Sequence, residues 1–200
     1  MRNLSWVFAP IVAGILTLAP YPAHAGSSDH QNYKVPGSVH LKVETPTYLA
    51  STVAEATEAR TASIEARYGL DYTTAKEIAS ASAQRRSVVL TALSYLGTPY
   101  ALWGSTHETM DCSGLTMVAY ASVGVPMAHY VPSQDDAAPV HLARGQQDVG
   151  DLLVFDDQDH VAIYVGNGLL IQAPEPGRNV EVVPASDWDQ VSWHVARYLP

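Results

Sequence analysis

The chain has 200 residues, of which 47% are hydrophobic and 16% are charged, and its formal net charge is -9. These values are typical of one globular domain with short tails. The chain carries 20 acidic and only 11 basic residues. Nucleic-acid binding calls for clustered lysine and arginine. The composition therefore excludes nucleic acid as an expected partner.

Residues 1–25 have the pattern of a secretory signal peptide. Arg2 provides the positive start, an apolar stretch follows from Trp6 to Ala19, and Ala23-His-Ala25 offers small residues for cleavage. The apolar stretch is shorter than the roughly 20 residues that a membrane-spanning helix needs. We therefore predict an exported protein with no transmembrane span after signal cleavage.

The mature part divides into three segments by composition. Residues 26–46 are polar, contain two prolines and are predicted to be a linker. Residues 47–85 are rich in Ala, Glu, Thr and Ser, and predict one or two helices that break near Gly69-Leu-Asp71. We interpret this segment as a helical arm or solvated spacer. The remaining residues, 86–200, carry the pattern of a packed domain.

In residues 86–200, helical patterns precede strand patterns. Val89, Ala92, Leu93 and Leu96 recur at helical spacing. A second helix is predicted to begin near Cys112, and residues 127–150 are predicted to be a loop region. Short apolar runs then predict antiparallel strands, which gives an α+β fold with helices packed on one sheet. The predicted strands are 151–155, 160–165, 169–172, 179–183 and 192–199.

Cys112 is the single cysteine of the chain. Exported proteins usually pair their cysteines, so this residue is a buried apolar side chain, an intermolecular link or a reactive thiol. If Asp111 is the N-cap, Cys112 lies in the first helical turn, where N–H groups and the helix dipole favour a thiolate. The Asp111 charge opposes this effect. Gly114 is expected to leave room for a substrate backbone.

Two residues of a predicted hairpin are candidate partners of the thiol. His160 begins a strand after the polar turn 156–159 and is either a base for Cys112 or a surface histidine. Gln172 falls on the facing strand, where its oxygen can accept from an imidazole N–H. A two-residue turn at Gly166-Asn-Gly168 would put Gln172 on the wrong face. The functional interpretation therefore requires a longer loop or a β-bulge.

The other histidines show no sign of a metal site in the sequence. His129, His141 and His194 are scattered and lack the spacing of zinc ligands. We therefore expect no metal and no cofactor.

Several separated motifs together resemble the NlpC family of papain-like peptidoglycan endopeptidases. The resemblance extends from about Arg86 to Tyr198. It is carried by Gly97-Thr-Pro-Tyr100, Gly104-Ser-Thr106, Asp111-Cys-Ser-Gly-Leu115, Gly150-Asp-Leu-Leu-Val-Phe155, His160-Val-Ala-Ile-Tyr-Val-Gly-Asn-Gly168 and Ile171-Gln-Ala-Pro174.

The resemblance implies a papain-like NlpC-type domain that acts as a secreted or cell-wall-associated cysteine endopeptidase on peptidoglycan stem peptides. The bond would join D-glutamate to a diamino acid. Cys112 matches the nucleophile and His160 the base. Tyr100 matches a tyrosine that assists the oxyanion site, and Asp111 and Ser113 match residues that shape the substrate pocket.

Two positions depart from the family pattern. Gln172 stands where the family usually has histidine, and Trp103 stands where a glycine is expected before Gly104. These departures leave an alternative open, in which the domain is a catalytically weak or inactive wall-binding module.

Overall fold

The computed structural model describes residues 47–155 and 159–200. The predicted signal peptide, the predicted linker and positions 156–158 of the predicted turn lie outside these ranges. The five α-helices of the described residues are α1 (Thr47–Tyr68), α2 (Tyr72–Ser80), α3 (Ala83–Leu93), α4 (Cys112–Ala121) and α5 (Val131–Asp136), and a 3-10 helix spans Ala185–Trp188. The strands are β1 (Val140–Leu142), β2 (Leu152–Phe155), β3 (Val161–Gly166), β4 (Leu169–Gln172), β5 (Glu181–Pro184) and β6 (Trp193–Arg197).

The strands form one antiparallel sheet in the order β1-β6-β2-β3-β4-β5. Strand β3 lies inside the sheet and contacts α2, α3 and α4. Its alternate residues Val161, Ile163 and Val165 join the helices in the larger core. The opposite face is buried in a second cluster with Trp193. The predicted α+β fold is therefore confirmed, and β1 and α5 lie in the segment that was predicted to be a loop.

Helix α2 is a packed part of the domain, which fits the interpretation of this segment as a helical arm and not the alternative of a solvated spacer. Ile78 is completely buried in the core. The Glu77 carboxylate accepts a hydrogen bond of 2.7 Å from the backbone N–H of Asn167, at the tip of the β3–β4 hairpin. Gly166 has φ +116°, and a Cβ there would lie 2.6 Å from the same carboxylate. The absence of a side chain at Gly166 therefore allows close packing of the hairpin on α2.

The preceding helix, α1, is mostly exposed. Its side chains Thr61 and Ile64 are buried, while most of the other residues from 50 to 68 face solvent. None of the helices in residues 47–155 and 159–200 combines the length and apolar character that crossing a membrane requires.

A buried ion pair joins α3 to the sheet. Arg85 Nη1 donates to Asp151 Oδ1 at 2.9 Å and to the carbonyl oxygen of Val149 at 2.9 Å. Its Nε and Nη2 groups donate to the carbonyl oxygens of Pro200 and Leu199. Asp151 is completely buried. The guanidinium of Arg85 therefore ties three separate segments of the chain together.

Replacing Arg85 by alanine should lower the free energy of unfolding by about 1–3 kcal/mol, because the buried carbonyl oxygens of Val149 and Leu199 lose their donor. Asp151 keeps a second cationic partner, because Arg197 Nη2 donates to its Oδ2 at 2.6 Å. Chemical denaturation would measure the loss. Arg60→Ala is the matched control, because Arg60 is exposed on α1 and an exposed substitution of this kind usually changes stability by less than about 0.5 kcal/mol. Equal stabilities of the two variants would contradict the assigned role.

Candidate active site

Asp111 caps helix α4, as predicted, and also organises the loop before it. Its Oδ1 accepts from the Gly114 backbone N–H at 2.7 Å and from the Ser113 hydroxyl at 3.1 Å. Its Oδ2 accepts from the Trp103 backbone N–H at 2.6 Å. Only 2% of Asp111 is exposed. One carboxylate therefore fixes both the helix start that carries Cys112 and the loop beside it.

Gly114 is required for packing, which differs from the expected role of leaving room for a substrate backbone. A Cβ at this position would clash with the carbonyl oxygen of Gly104 and lie 2.9 Å from His129 Nε2. The loop and His129 already occupy the space that the glycine leaves. The close approach therefore sets the distance between α4 and the loop at residues 101–110.

The conformation of Trp103 explains why the sequence pattern calls for glycine there. Its φ is +65°, in the left-handed region that glycine adopts readily and other residues rarely adopt. The hydrogen bond from its N–H to Asp111 holds this conformation. The indole is 65% exposed and meets the His129 ring edge-on, with ring centroids 5.3 Å apart. A bulky aromatic side chain thus stands beside the start of α4.

The pKa of the Cys112 thiol is raised above its ordinary value, first by burial and then by the charge of Asp111. The backbone N–H groups of Val161, Ser113 and Cys112 itself act in the opposite direction. The expected thiolate-favouring effect of the helix start is therefore present, but burial outweighs it. A positive partner is needed to form the thiolate near neutral pH.

His160 belongs to the chain segment that packs against the Cys112 thiol. Val161, whose backbone N–H acts on the Cys112 sulfur, directly follows His160. The imidazole stacks on the indole of Trp188 with centroids 5.1 Å apart and planes at 17°, and it contacts Phe155 at 5.2 Å. The ring is buried. Aromatic packing on this side limits the orientations that the imidazole can take.

Gln172 lies on the same face of the hairpin as His160. The pairs Ile163↔Ile171 and Tyr164↔Leu170 have the register that the functional interpretation requires, and a bulge separates them from the pair Gly166↔Leu169. His160 Nε2 and Gln172 Oε1 are 2.9 Å apart. The bulge therefore reconciles a short turn with the hydrogen bond between these two side chains.

Glu181 determines which way the Gln172 amide faces. The Gln172 Nε2 group donates to Glu181 Oε1 at 3.2 Å, and Glu181 also pairs with Arg178. A carboxylate only accepts, so the amide nitrogen faces Glu181 and the amide oxygen faces His160. Nε2 of His160 must then carry a proton. In the neutral ring Nδ1 is left without one and can accept a proton from a thiol.

Alanine at position 172 should lower kcat for amide hydrolysis by about 10- to 100-fold, part of the 10²–10⁴-fold that a positioned acid–base group contributes. KM should change little, because Gln172 is 2% exposed and lies outside the lining of the cleft. Gln172→His should retain more activity than Gln172→Ala, since histidine also provides an acceptor. Gln84→Ala, at an exposed position of α3, is the control. An unchanged kcat for Gln172→Ala would contradict the positioning role.

Cys112 opens into a cleft of about 220 Å³. Tyr100, Asp111 and Ser113 line it as well, so the structure brings these four predicted residues together. Burial, followed by the charges of Cys112 and Asp111, raises the pKa of the Tyr100 hydroxyl, so it stays protonated and can donate. The other lining residues are Leu102, Trp103, His129, Tyr130, Val131, Pro132 and Asp159.

Three residues of this region were not identified from the sequence. His129 Nε2 lies 2.8 Å from Asp111 Oδ1, Trp188 stacks on His160, and Glu181 orients Gln172. Their separations along the chain from Cys112 and His160 follow no recognisable spacing.

An α+β domain with a cysteine at a helix start and a histidine on the adjoining sheet defines the papain-like class of the NlpC type. Comparisons identify the family. The NlpC/P60 family profile matches residues 97–197, half of the chain. The protein belongs to the NlpC/P60 family.

Individual relatives agree with the family match. A probable endopeptidase of Mycobacterium tuberculosis, Rv2190c, is 38% identical over 106 residues, which cover 52% of this chain and 27% of the relative. The chain therefore spans about a quarter of the length of that relative. The crystal structure of the NlpC/p60 domain of the peptidoglycan hydrolase SagA aligns with a TM-score of 0.51 and 33% identity, over 56% of this chain and 98% of that domain.

RipD from Mycobacterium tuberculosis shares the fold as well, with a TM-score of 0.50 and 24% identity over 60% of this chain and all of that one. It is described as a non-catalytic NlpC/p60 domain protein with an adaptation to peptidoglycan binding. The fold thus occurs with and without catalysis.

Proposed function

We propose that this protein is an exported cysteine endopeptidase that hydrolyses amide bonds in peptidoglycan stem peptides. The observation that carries the proposal is the hydrogen bond between His160 and Gln172, which orients the imidazole beside the strand residue that contacts Cys112. A buried cysteine in a binding module would not need an oriented imidazole. Cell-wall association follows from the substrate class.

The reaction begins with transfer of the Cys112 proton to Nδ1 of His160. The thiolate attacks the amide carbonyl, and a carbon–sulfur bond forms while negative charge moves to the carbonyl oxygen. The Cys112 backbone N–H and the Tyr100 hydroxyl stabilise that oxygen, where a single donor is worth about 3–4 kcal/mol in measured cases.

The carbon–nitrogen bond then breaks, and His160 gives its proton to the leaving amine. Water attacks the thioester with His160 as base, which releases the acid and regenerates the thiol. In this scheme Gln172 holds the imidazole in one tautomer through both half-reactions. Asp111 has a structural role in this scheme and takes no part in proton transfer, because its carboxylate is buried and accepts four hydrogen bonds. The donors are Trp103, Ser113, Gly114 and His129.

We propose the bond between D-glutamate and the diamino acid as the point of cleavage. The family resemblance is the basis for this choice. The aromatic lining by Tyr100, Trp103 and Tyr130 is compatible with a stem peptide that lies along the cleft. Asp159 is exposed at the cleft and offers a negative charge to the free amine of a diamino acid.

The test is mass spectrometry of defined stem peptides after incubation with the full-length mature protein. One new amine and one new carboxyl group at the D-glutamyl bond are expected. A different cleaved bond would correct the specificity and keep the enzyme class. Retention of wall fragments without any new amine would overturn the proposal in favour of a wall-binding module.

A further inference from the structure

Three side chains far from one another in the sequence meet at the edge of the sheet. They are Asp135 at the end of α5, His141 on β1 and His194 on β6. His141 Nε2 lies 3.0 Å and His194 Nε2 lies 2.8 Å from the same oxygen, Asp135 Oδ1. All three ligand atoms lie within 4.8 Å of one another.

The pairing of β1 with β6 brings the two histidine side chains together. In the β1–β6 register His141 faces Ala196, so His194 is its diagonal neighbour on the same face. Diagonal residues of antiparallel strands are close enough for long side chains to meet. The two imidazole centroids are 5.5 Å apart. Asp135 is buried, while the two histidine side chains are 46% and 31% exposed, so an ion can enter from solvent.

The donor set matches a particular kind of ion. Two imidazole nitrogens and one carboxylate oxygen suit zinc and other divalent transition metals, and sites with three protein ligands keep a further position for water. Metal–ligand bonds of about 2.0–2.1 Å in tetrahedral geometry place ligand atoms about 3.3 Å apart. The nitrogen–oxygen distances of 2.8 and 3.0 Å need only a small expansion to reach that value.

We propose that Asp135, His141 and His194 bind one divalent transition-metal ion, with zinc as the first candidate. Zinc would replace the hydrogen bonds that now join the two rings to Asp135, and it would need both imidazoles neutral at the binding nitrogen. The proposed site differs from the expectation of no metal. The spacing of the three residues along the chain did not indicate it, because the pairing of β1 with β6 that brings them together cannot be recognised in that spacing.

We assign the ion a structural role, in which it holds α5, a helix that lines the cleft, in place. Val131 and Pro132, in the first turn of α5, line the cleft. Gln134 donates to the carbonyl oxygen of Ser113 at 2.9 Å and accepts from Thr116 at 2.6 Å, which joins α5 to α4. An ion at Asp135 would therefore fix α5 between the β1–β6 edge and the helix that carries Cys112.

The test is zinc binding by isothermal titration calorimetry and thermal unfolding. It uses the full-length protein without a histidine tag after treatment with a chelator. All proteins carry Cys112→Ala, so that the active-site thiol cannot bind zinc. One equivalent of zinc with micromolar or tighter affinity is expected, together with a rise in the unfolding midpoint. Because the nucleophile is absent, the outcome does not depend on the proposed hydrolysis.

Variants identify the ligands. His141→Ala and Asp135→Asn should each abolish the calorimetric signal and the rise in midpoint, whereas His107→Ala should retain both. His107 is exposed and lies outside the three-residue group. His141→Ala also removes a hydrogen bond to the buried Asp135 carboxylate, so a single cooperative unfolding transition in chelator, at a modestly lower midpoint, verifies folding. Failure to bind zinc, or binding that survives His141→Ala, would overturn the site.

Discussion

Cys112→Ala should abolish the release of new amines from purified stem peptides, with kcat falling by at least about 10³-fold. The alanine leaves no atom that can form the acyl-enzyme, and removing a catalytic nucleophile costs this much or more in enzymes of similar design. The substitution should preserve the fold, because residue 112 remains a small side chain in the first turn of α4.

High-performance chromatography of the digests, with chemical labelling of free amines, gives the measurement. Ser122→Ala provides the control on the same helix, since Ser122 caps the far end of α4. Binding to insoluble wall material should persist in Cys112→Ala, because the cleft lining apart from the sulfur is intact. Product release from Cys112→Ala at the wild-type rate would rule out Cys112 as the nucleophile.

His160→Ala should reduce hydrolysis by about 10²–10⁴-fold, the usual contribution of a general acid–base group. It should also slow the alkylation of Cys112 by iodoacetamide at pH 6–7. Burial and the Asp111 charge raise the pKa of the thiol. A thiol with a raised pKa keeps its proton to higher pH. Without His160, the thiolate should therefore form only at a pH above the ordinary pKa of a free thiol. The alkylation rate should rise only in that pH range.

The measurement is a series of alkylation rates against pH, followed by mass spectrometry of the intact protein. His107→Ala serves as a control, because His107 is exposed and stacks on Tyr95 away from the cleft. Wild type and His107→Ala should react alike at each pH. Fast labelling of His160→Ala at pH 6–7 would mean that backbone N–H groups alone are sufficient to form the thiolate.

Local signals in the sequence predicted much of the site. The position of Asp111 before an apolar helical pattern predicted the cap of α4, and the hydrogen bond from Gly114 confirms it. Side-chain alternation in the hairpin showed that Gln172 meets His160 only if the strands contain an irregularity, and the bulge before Gly166 provides it. Both inferences depend on residues close together in the chain.

Contacts between residues that are far apart in the chain could not be predicted from such local signals. His129 reaches Asp111 from a loop, and Trp188 stacks on His160 from a separate 3-10 helix. Strand β1 has three residues and pairs with β6, near the other end of the chain, so its own composition carries little information. The raised pKa of Cys112 likewise results from burial by distant segments.

The packing of α2 and α3 has a consequence for how this domain can be excised or exchanged. The family profile begins at residue 97, yet Ile78, Val88 and Val89 fill the core beneath the sheet. A fragment cut at the profile boundary would present that apolar face to water and would lose the support under the β3–β4 hairpin. Hybrids between relatives should therefore be joined upstream of Asp71, the residue that caps α2. The β3–β4 hairpin that follows His160 then stays in the same fragment as α2, which binds the tip of the hairpin.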